Sequence, residues 1–142
     1  MPCPFFEPQA VVSSPQHPNA RLPLLDEYEG TCHAAGDVFP VPFDLRFRCC
    51  NHGYSRGSCN RFPLTETRSS VRFNITRATS DFLELLYVEE RDYAPLRWHS
   101  LCYSVQTEVL EPELSDSCAR AQVLAFCRSY RRRFPDAGRR SG

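Results

Sequence analysis

Cysteine and proline together set the terms on which this chain can fold. Of its eight cysteines, five (Cys3, Cys32, Cys49, Cys50 and Cys59) fall in the first 63 residues, where prolines at 2, 4, 8, 15, 18, 23, 40, 42 and 63 keep interrupting any regular pattern. Proline removes a backbone donor and fixes φ, so this half is expected to be irregular and held by side chains rather than by its own ladder of hydrogen bonds. The densest stretch runs from Cys49 to Pro63, with three cysteines, Gly53 and Gly57, His52, Arg56 and Arg61, Tyr54 and Phe62. Glycines there let backbone N–H groups turn inward, and cysteine supplies a strong ligand once deprotonated.

At 142 residues the chain is expected to form a single domain over 1–134, with a cysteine-rich half at 1–63, a sheet and helix over 71–134, and a disordered tail at 135–142. Seventeen acidic and seventeen basic side chains cancel, so no overall field recommends nucleic acid or an anionic membrane as a partner. Every base is arginine, which composition bias explains as readily as selection for bidentate pairing. No apolar run approaches the roughly 20 residues that span a bilayer. The start, Met1-Pro2-Cys3-Pro4-Phe5-Phe6, lacks the basic and apolar regions of a secretory signal, which points to the cytoplasm. In a reducing compartment, scattered cysteines speak for metal binding, redox chemistry or burial rather than disulfides.

Along the chain, residues 2–23 read as an extended arm that Phe5, Phe6 and Cys3 can pin to the body. Leu22, Leu24, Leu25 and Tyr28 suit a short docking segment over Arg21–Cys32 with a turn at Gly30, and residues 33–42 read as loop. Phe43 to Asn51 predicts about two turns of helix ending near Gly53, with Phe43, Phe47 and Cys50 on one face and Cys49 about 100° away. The second half is regular. Val71–Thr76 alternates apolar and polar residues, Phe82–Glu90 suits a strand with a helix over 81–91 as the competitor, and Trp98–Val105 alternates again. Three such strands predict an antiparallel meander, and Glu113–Arg133 predicts a C-terminal helix with acidic residues first and arginines last. The fold class is therefore α+β: a loop-rich cysteine-bearing half packed on a three-stranded antiparallel sheet with a C-terminal helix.

The cysteines divide accordingly. Cys118 and Cys127, nine residues apart in the helix, point about 180° apart and cannot bridge. Together with Cys102 in a strand they read as small buried apolar residues. Cys3, Cys32, Cys49 or Cys50, and Cys59 remain, enough to staple a segment with little core of its own through a metal. No pair of Cys-x₂₋₄-Cys knuckles is present to recommend zinc, whereas an iron–sulfur cluster gathers thiolates from separated loops. His33 and His52, beside or near cysteines, keep zinc open.

The segment Cys50-Asn51-His52-Gly53-Tyr54-Ser55-Arg56-Gly57-Ser58-Cys59, running on to Phe62-Pro63, resembles a Cys-Asn-x-Gly-Tyr-x-Arg-Gly-x-Cys-x-x-Phe-Pro pattern of small bacterial cysteine-rich proteins that carry no established activity. Cys3-Pro4-Phe5 and Gly30-Thr31-Cys32 are similar to further segments of that pattern. The resemblance covers residues 1–63 and implies that Cys3, Cys32, Cys50 and Cys59 belong together, with Cys49 and His52 as alternates. The expectation is a [4Fe–4S] protein for electron transfer or redox sensing with a redox or protein partner; the competing reading is a structural-zinc interaction module. An exported disulfide-stapled protein is the third. A nucleophile pair of Cys59 with His52 or His99 lacks any local signature, adjacent Glu89 and Glu90 do not face each other as paired carboxylates would, and Asn74-Ile75-Thr76 carries no meaning as a glycosylation acceptor in the cytoplasm.

Overall fold

The structure is a computed structural model, and it describes residues 3–15, 22–34, 38–41, 45–51, 59, 62–63, 70–92 and 94–135. It is α+β, with antiparallel sheets and a C-terminal helix. In the second half the alternating segments form β4 (Ser70–Ala78), β5 (Phe82–Arg91) and β6 (Ala94–Ser104), joined by a fourth short strand, β7 (Leu110–Glu111), in the order of a meander. The expected three-stranded sheet is thus four-stranded, since Leu110 and Glu111 pair with Tyr103 and Cys102. Residues 82–91 are strand, not helix: Leu83, Leu85 and Tyr87 point to one face and are almost fully buried, a period of two that a helix would scatter.

The first half is more regular than its prolines suggest. Strands β1 (Phe6–Val11), β2 (Tyr28–Cys32) and β3 (Phe39–Pro40) form a second antiparallel sheet in that order. Pro8 fits because β1 is an edge strand, where a missing N–H costs least, and the register slips just beyond it, between Pro8 and Ala10. Gly30 lies opposite Pro8. An added Cβ at Gly30 would stand 2.0 Å from the Glu7 carbonyl oxygen, so the backbone of β1 occupies the space of a side chain.

Between the sheets in sequence lies a π-helical turn, Arg46–Asn51, in place of the two α-turns expected over 43–51. Asn51 explains the wider winding. Its fully buried amide donates to the Arg46 carbonyl, five residues back, and to the Tyr28 carbonyl, both at 2.8 Å, while its oxygen accepts from the Tyr28 N–H at 2.7 Å. The turn is thereby locked to β2. Gly53 lies outside the described residues, as do His52, Arg56, Gly57 and Arg61, and the tail beyond Pro135.

Helix α1 (Ser117–Arg133) begins four residues later than the acidic run predicts, capped by Asp116, whose carboxylate accepts from the N–H groups of Cys118 and Ala119. It buries two stripes rather than one. Phe126 stacks on Phe73 of β4 with ring centroids 5.2 Å apart, and Val123 and Cys127 are fully buried in the same core. On the other stripe Cys118, Gln122 and Ser129, spaced four and seven apart, meet the first sheet: Gln122 donates to the carbonyls of Cys3 and Phe6, both at 2.7 Å, and Ser129 meets the Tyr28 hydroxyl. Polar Gln122 and Ser129 disguise that face in a hydropathy pattern. The helix end is tied by Arg132 and Arg133 to Asp26, at 2.9 and 2.7 Å. No helix among the described residues is long and apolar enough to cross a membrane.

Candidate functional site

The cysteines of the first half come together where β1, β2 and the π-helical turn meet under the start of α1. Cys3 precedes β1; its N–H donates to the Cys50 carbonyl at 3.1 Å, and its own carbonyl accepts from Phe6 at 3.0 Å and from Gln122 at 2.7 Å. Residues 3 and 50 are thus bonded through their backbones, and the proline-rich arm is held by this seam. Cys32 ends β2, paired with Phe6 and Phe39. Its sulfur accepts the Ala34 N–H at 3.4 Å, the kind of donor that supports a thiolate. Cys59 turns back on itself, with the Phe62 N–H on its carbonyl at 3.1 Å, and Phe62 in turn packs edge-on to Phe5 at 5.6 Å.

Cys50 is the hub. Burial first, and then the neighbouring sulfurs of Cys3, Cys32, Cys49 and Cys59, push its thiol far above the ordinary range. Four sulfurs from separate parts of the chain are thus near enough to bear on Cys50. Cys49 is also buried, not turned away as an α-helical spacing predicts; the π-helical turn keeps both sulfurs inside. None of the eight cysteines is joined in a disulfide. Gathering thiols in this way leaves them neutral unless a cation compensates, because isolated anions in a low-dielectric interior are costly.

The spacing bears on what such a set can hold. A single tetrahedral ion with bonds of about 2.3 Å keeps its sulfurs about 3.8 Å apart, whereas a cluster, being larger than one ion, keeps them farther apart. Among the described residues, the three ligand atoms that come within 4.8 Å of one another belong to Glu7, His33 and Cys118, and no three of the cysteine sulfurs do so.

Cys118 is the residue whose surroundings sequence reasoning missed. It is buried, as expected, but its S–H donates to the Phe5 carbonyl at 3.6 Å, within electrostatic reach of Cys3 and Cys32. Burial, followed by Asp116, Glu7, Cys3 and Cys32, pushes its thiol up to about 12. With Phe5 and Cys118 113 positions apart, local pattern holds no signal for the contact. The other two cysteines of the second half stand apart. Cys127 is fully buried in the core, as expected, its thiol pushed up to about 12 by burial. Cys102 is only half-buried, on the outer face opposite Leu101 and Tyr103, and paired with Glu84 and Glu111 across the strands. His99 is exposed on β6 and stacked on Tyr87 at 6.0 Å. No protein-family model, no curated protein and no solved structure matches this chain.

Proposed function

We propose that Cys3, Cys32, Cys50 and Cys59 ligate an iron–sulfur cluster, [4Fe–4S], and that the protein transfers or senses electrons. The observation that carries the reading is the convergence on Cys50 of Cys3, Cys32 and Cys59, brought from before β1, the end of β2 and the far side of the π-helical turn. Burial supports the same reading: Cys3, Cys32 and Cys50 are shielded from water, and Cys59, the most exposed of the four, marks the side nearest a redox partner. Exposure, charge and hydrogen bonds to the sulfurs are the means by which a protein sets the potential of such a centre. The Ala34 N–H on Cys32 is one of them.

A series of single substitutions in anaerobically purified protein tests the ligand set. Cys3→Ser, Cys32→Ser, Cys50→Ser and Cys59→Ser are each expected to lose the brown colour and the iron, while Cys49→Ser and Cys127→Ser retain both. Retention of a full complement of iron in any two of the first four, with the fold intact by circular dichroism, would show that the ligands are others. A colourless wild type with one zinc would favour the interaction module instead.

A further inference from the structure

Glu7, His33 and Cys118 offer three different ligand atoms, a carboxylate oxygen, an imidazole nitrogen and a sulfur, all within 4.8 Å of one another. They come from three elements: Glu7 from β1, His33 from the residue after β2, and Cys118 from the first turn of α1. Their geometry is fixed by backbone contacts. The His33 N–H donates to the Phe5 carbonyl at 3.0 Å, and the Cys118 sulfur donates to the same carbonyl at 3.6 Å. Glu7 and His33 already face each other, with Oε2 2.6 Å from Nε2, and Thr31 Oγ1 lies 3.4 Å from that nitrogen. The sulfur is buried, whereas the Glu7 and His33 side chains keep 31% and 27% exposure, so solvent reaches the trio from one side only.

We propose that these residues are the three protein ligands of a second metal site, one that takes a single zinc-class divalent ion and keeps a fourth position open to water. A mixed oxygen, nitrogen and sulfur set suits zinc, and three protein ligands with an open position is the form in which zinc polarises a bound molecule rather than merely stapling a fold. With bonds of about 2.0–2.3 Å, tetrahedral ligand atoms sit about 3.3–3.7 Å apart. The ion therefore enters by opening the Glu7–His33 hydrogen bond by under an ångström, within the reach of two half-exposed side chains. Cys118 also lies next to Cys3 and Cys32, so the site adjoins the cysteine set without sharing a ligand with it. The inference holds whatever the cysteine set contains.

Titration of the full chain with cobalt(II), as a coloured stand-in for zinc, and calorimetry with zinc itself test the site. The wild type is expected to take up one equivalent more than Cys118→Ser, with a thiolate-to-cobalt charge-transfer component, belonging to that equivalent, that Cys118→Ser removes and Cys59→Ser leaves in place. His33→Gln should weaken zinc by more than the roughly 10–100-fold lost when an outer-shell partner is removed. Because His33 is half-exposed and spends only its side chain on the trio, this variant decides the matter even where Cys118→Ser folds poorly. Wild-type stoichiometry and affinity in His33→Gln, or a cobalt band that vanishes only in Cys59→Ser, would overturn the proposal; the second result would put the ion in the cysteine set.

Discussion

Replacing Gly30 with alanine is expected to damage the fold and the cysteine cluster in one step. The added Cβ would lie 2.0 Å from the Glu7 carbonyl oxygen, 2.9 Å from its carbon and 3.0 Å from the Pro8 Cα. Ordinary contact begins at 3.4 Å, so β1 must retreat by about 1.4 Å from strands normally only 4.7–4.9 Å apart. All three obstacles are backbone, and no side chain can swing away to relieve them. Overpacking of this kind costs about 1–3 kcal/mol, and weakened ladder bonds around Glu7 and Thr31 add about 1 kcal/mol each. A total of about 3–5 kcal/mol is a large share of the roughly 5–15 kcal/mol that holds a domain together. Urea titration should show a midpoint lower by roughly 2 M, given slopes of about 1–3 kcal/mol/M. Cys32 lies two residues from the clash and Glu7 at it, so metal content should fall too: ligand distances tolerate only about 0.2 Å. Glu29→Ala, on the exposed neighbour, is the control. A Gly30→Ala protein within about 0.5 kcal/mol of wild type, the range of harmless surface changes, and still loaded with metal would refute the close approach of β1 and β2.

Asn51→Leu removes two hydrogen bonds that tie the π-helical turn to β2 and one within the turn; with buried groups of Tyr28 left unpaired, a loss of about 3 kcal/mol in urea unfolding is expected, with metal content reduced through Cys50. Gln122→Leu strips the carbonyls of Cys3 and Phe6 of a donor and should cost about 2–4 kcal/mol by the same assay. Cys127→Ala leaves a cavity in the core and should cost about 1 kcal/mol while leaving metal content unchanged. Stability should also decline in acid through Asp26. Burial raises its carboxyl, but the Ser129 hydroxyl and the Arg133 and Arg132 guanidiniums outweigh that and hold it below the ordinary value of 3.8. A carboxyl depressed in the fold contributes stability above its ordinary value and loses it as pH falls through the folded one. Asp26→Asn should therefore be less stable than wild type near neutrality, with the gap closing below about pH 4; a gap that stays constant with pH would count against the ion pairs.

Three strands of the second sheet and one stripe of the helix are legible from local pattern, because each sets an apolar face against a solvated one. Val71, Leu83, Leu85 and Leu101 lie inward on segments whose period of two favours strands, although the Leu and Glu content of residues 81–91 suits a helix as well until tertiary packing decides. The first sheet escapes the same reading because its two central positions are a proline and a glycine. Pro8 is tolerated only by an edge, and Gly30 is required only because β1 lies against it; neither fact is local. Asn51 shows the same limit, since a side chain that bonds a carbonyl 23 residues away cannot be seen in a helical repeat. Grouping Cys3, Cys32, Cys50 and Cys59 rests, in the sequence, on their place in the proline-interrupted half and on a resemblance over residues 1–63. Cys118 and Glu7 did not, because only the tertiary packing of α1 on β1 brings them side by side.

Iron and acid-labile sulfide, counted per chain in protein purified without oxygen, test the central claim most directly. A [4Fe–4S] centre on Cys3, Cys32, Cys50 and Cys59 predicts about four of each, with a broad visible absorption that bleaches on reduction. Iron and sulfide near zero in protein that is folded and colourless would contradict it, and the buried thiols would then be part of the core alone.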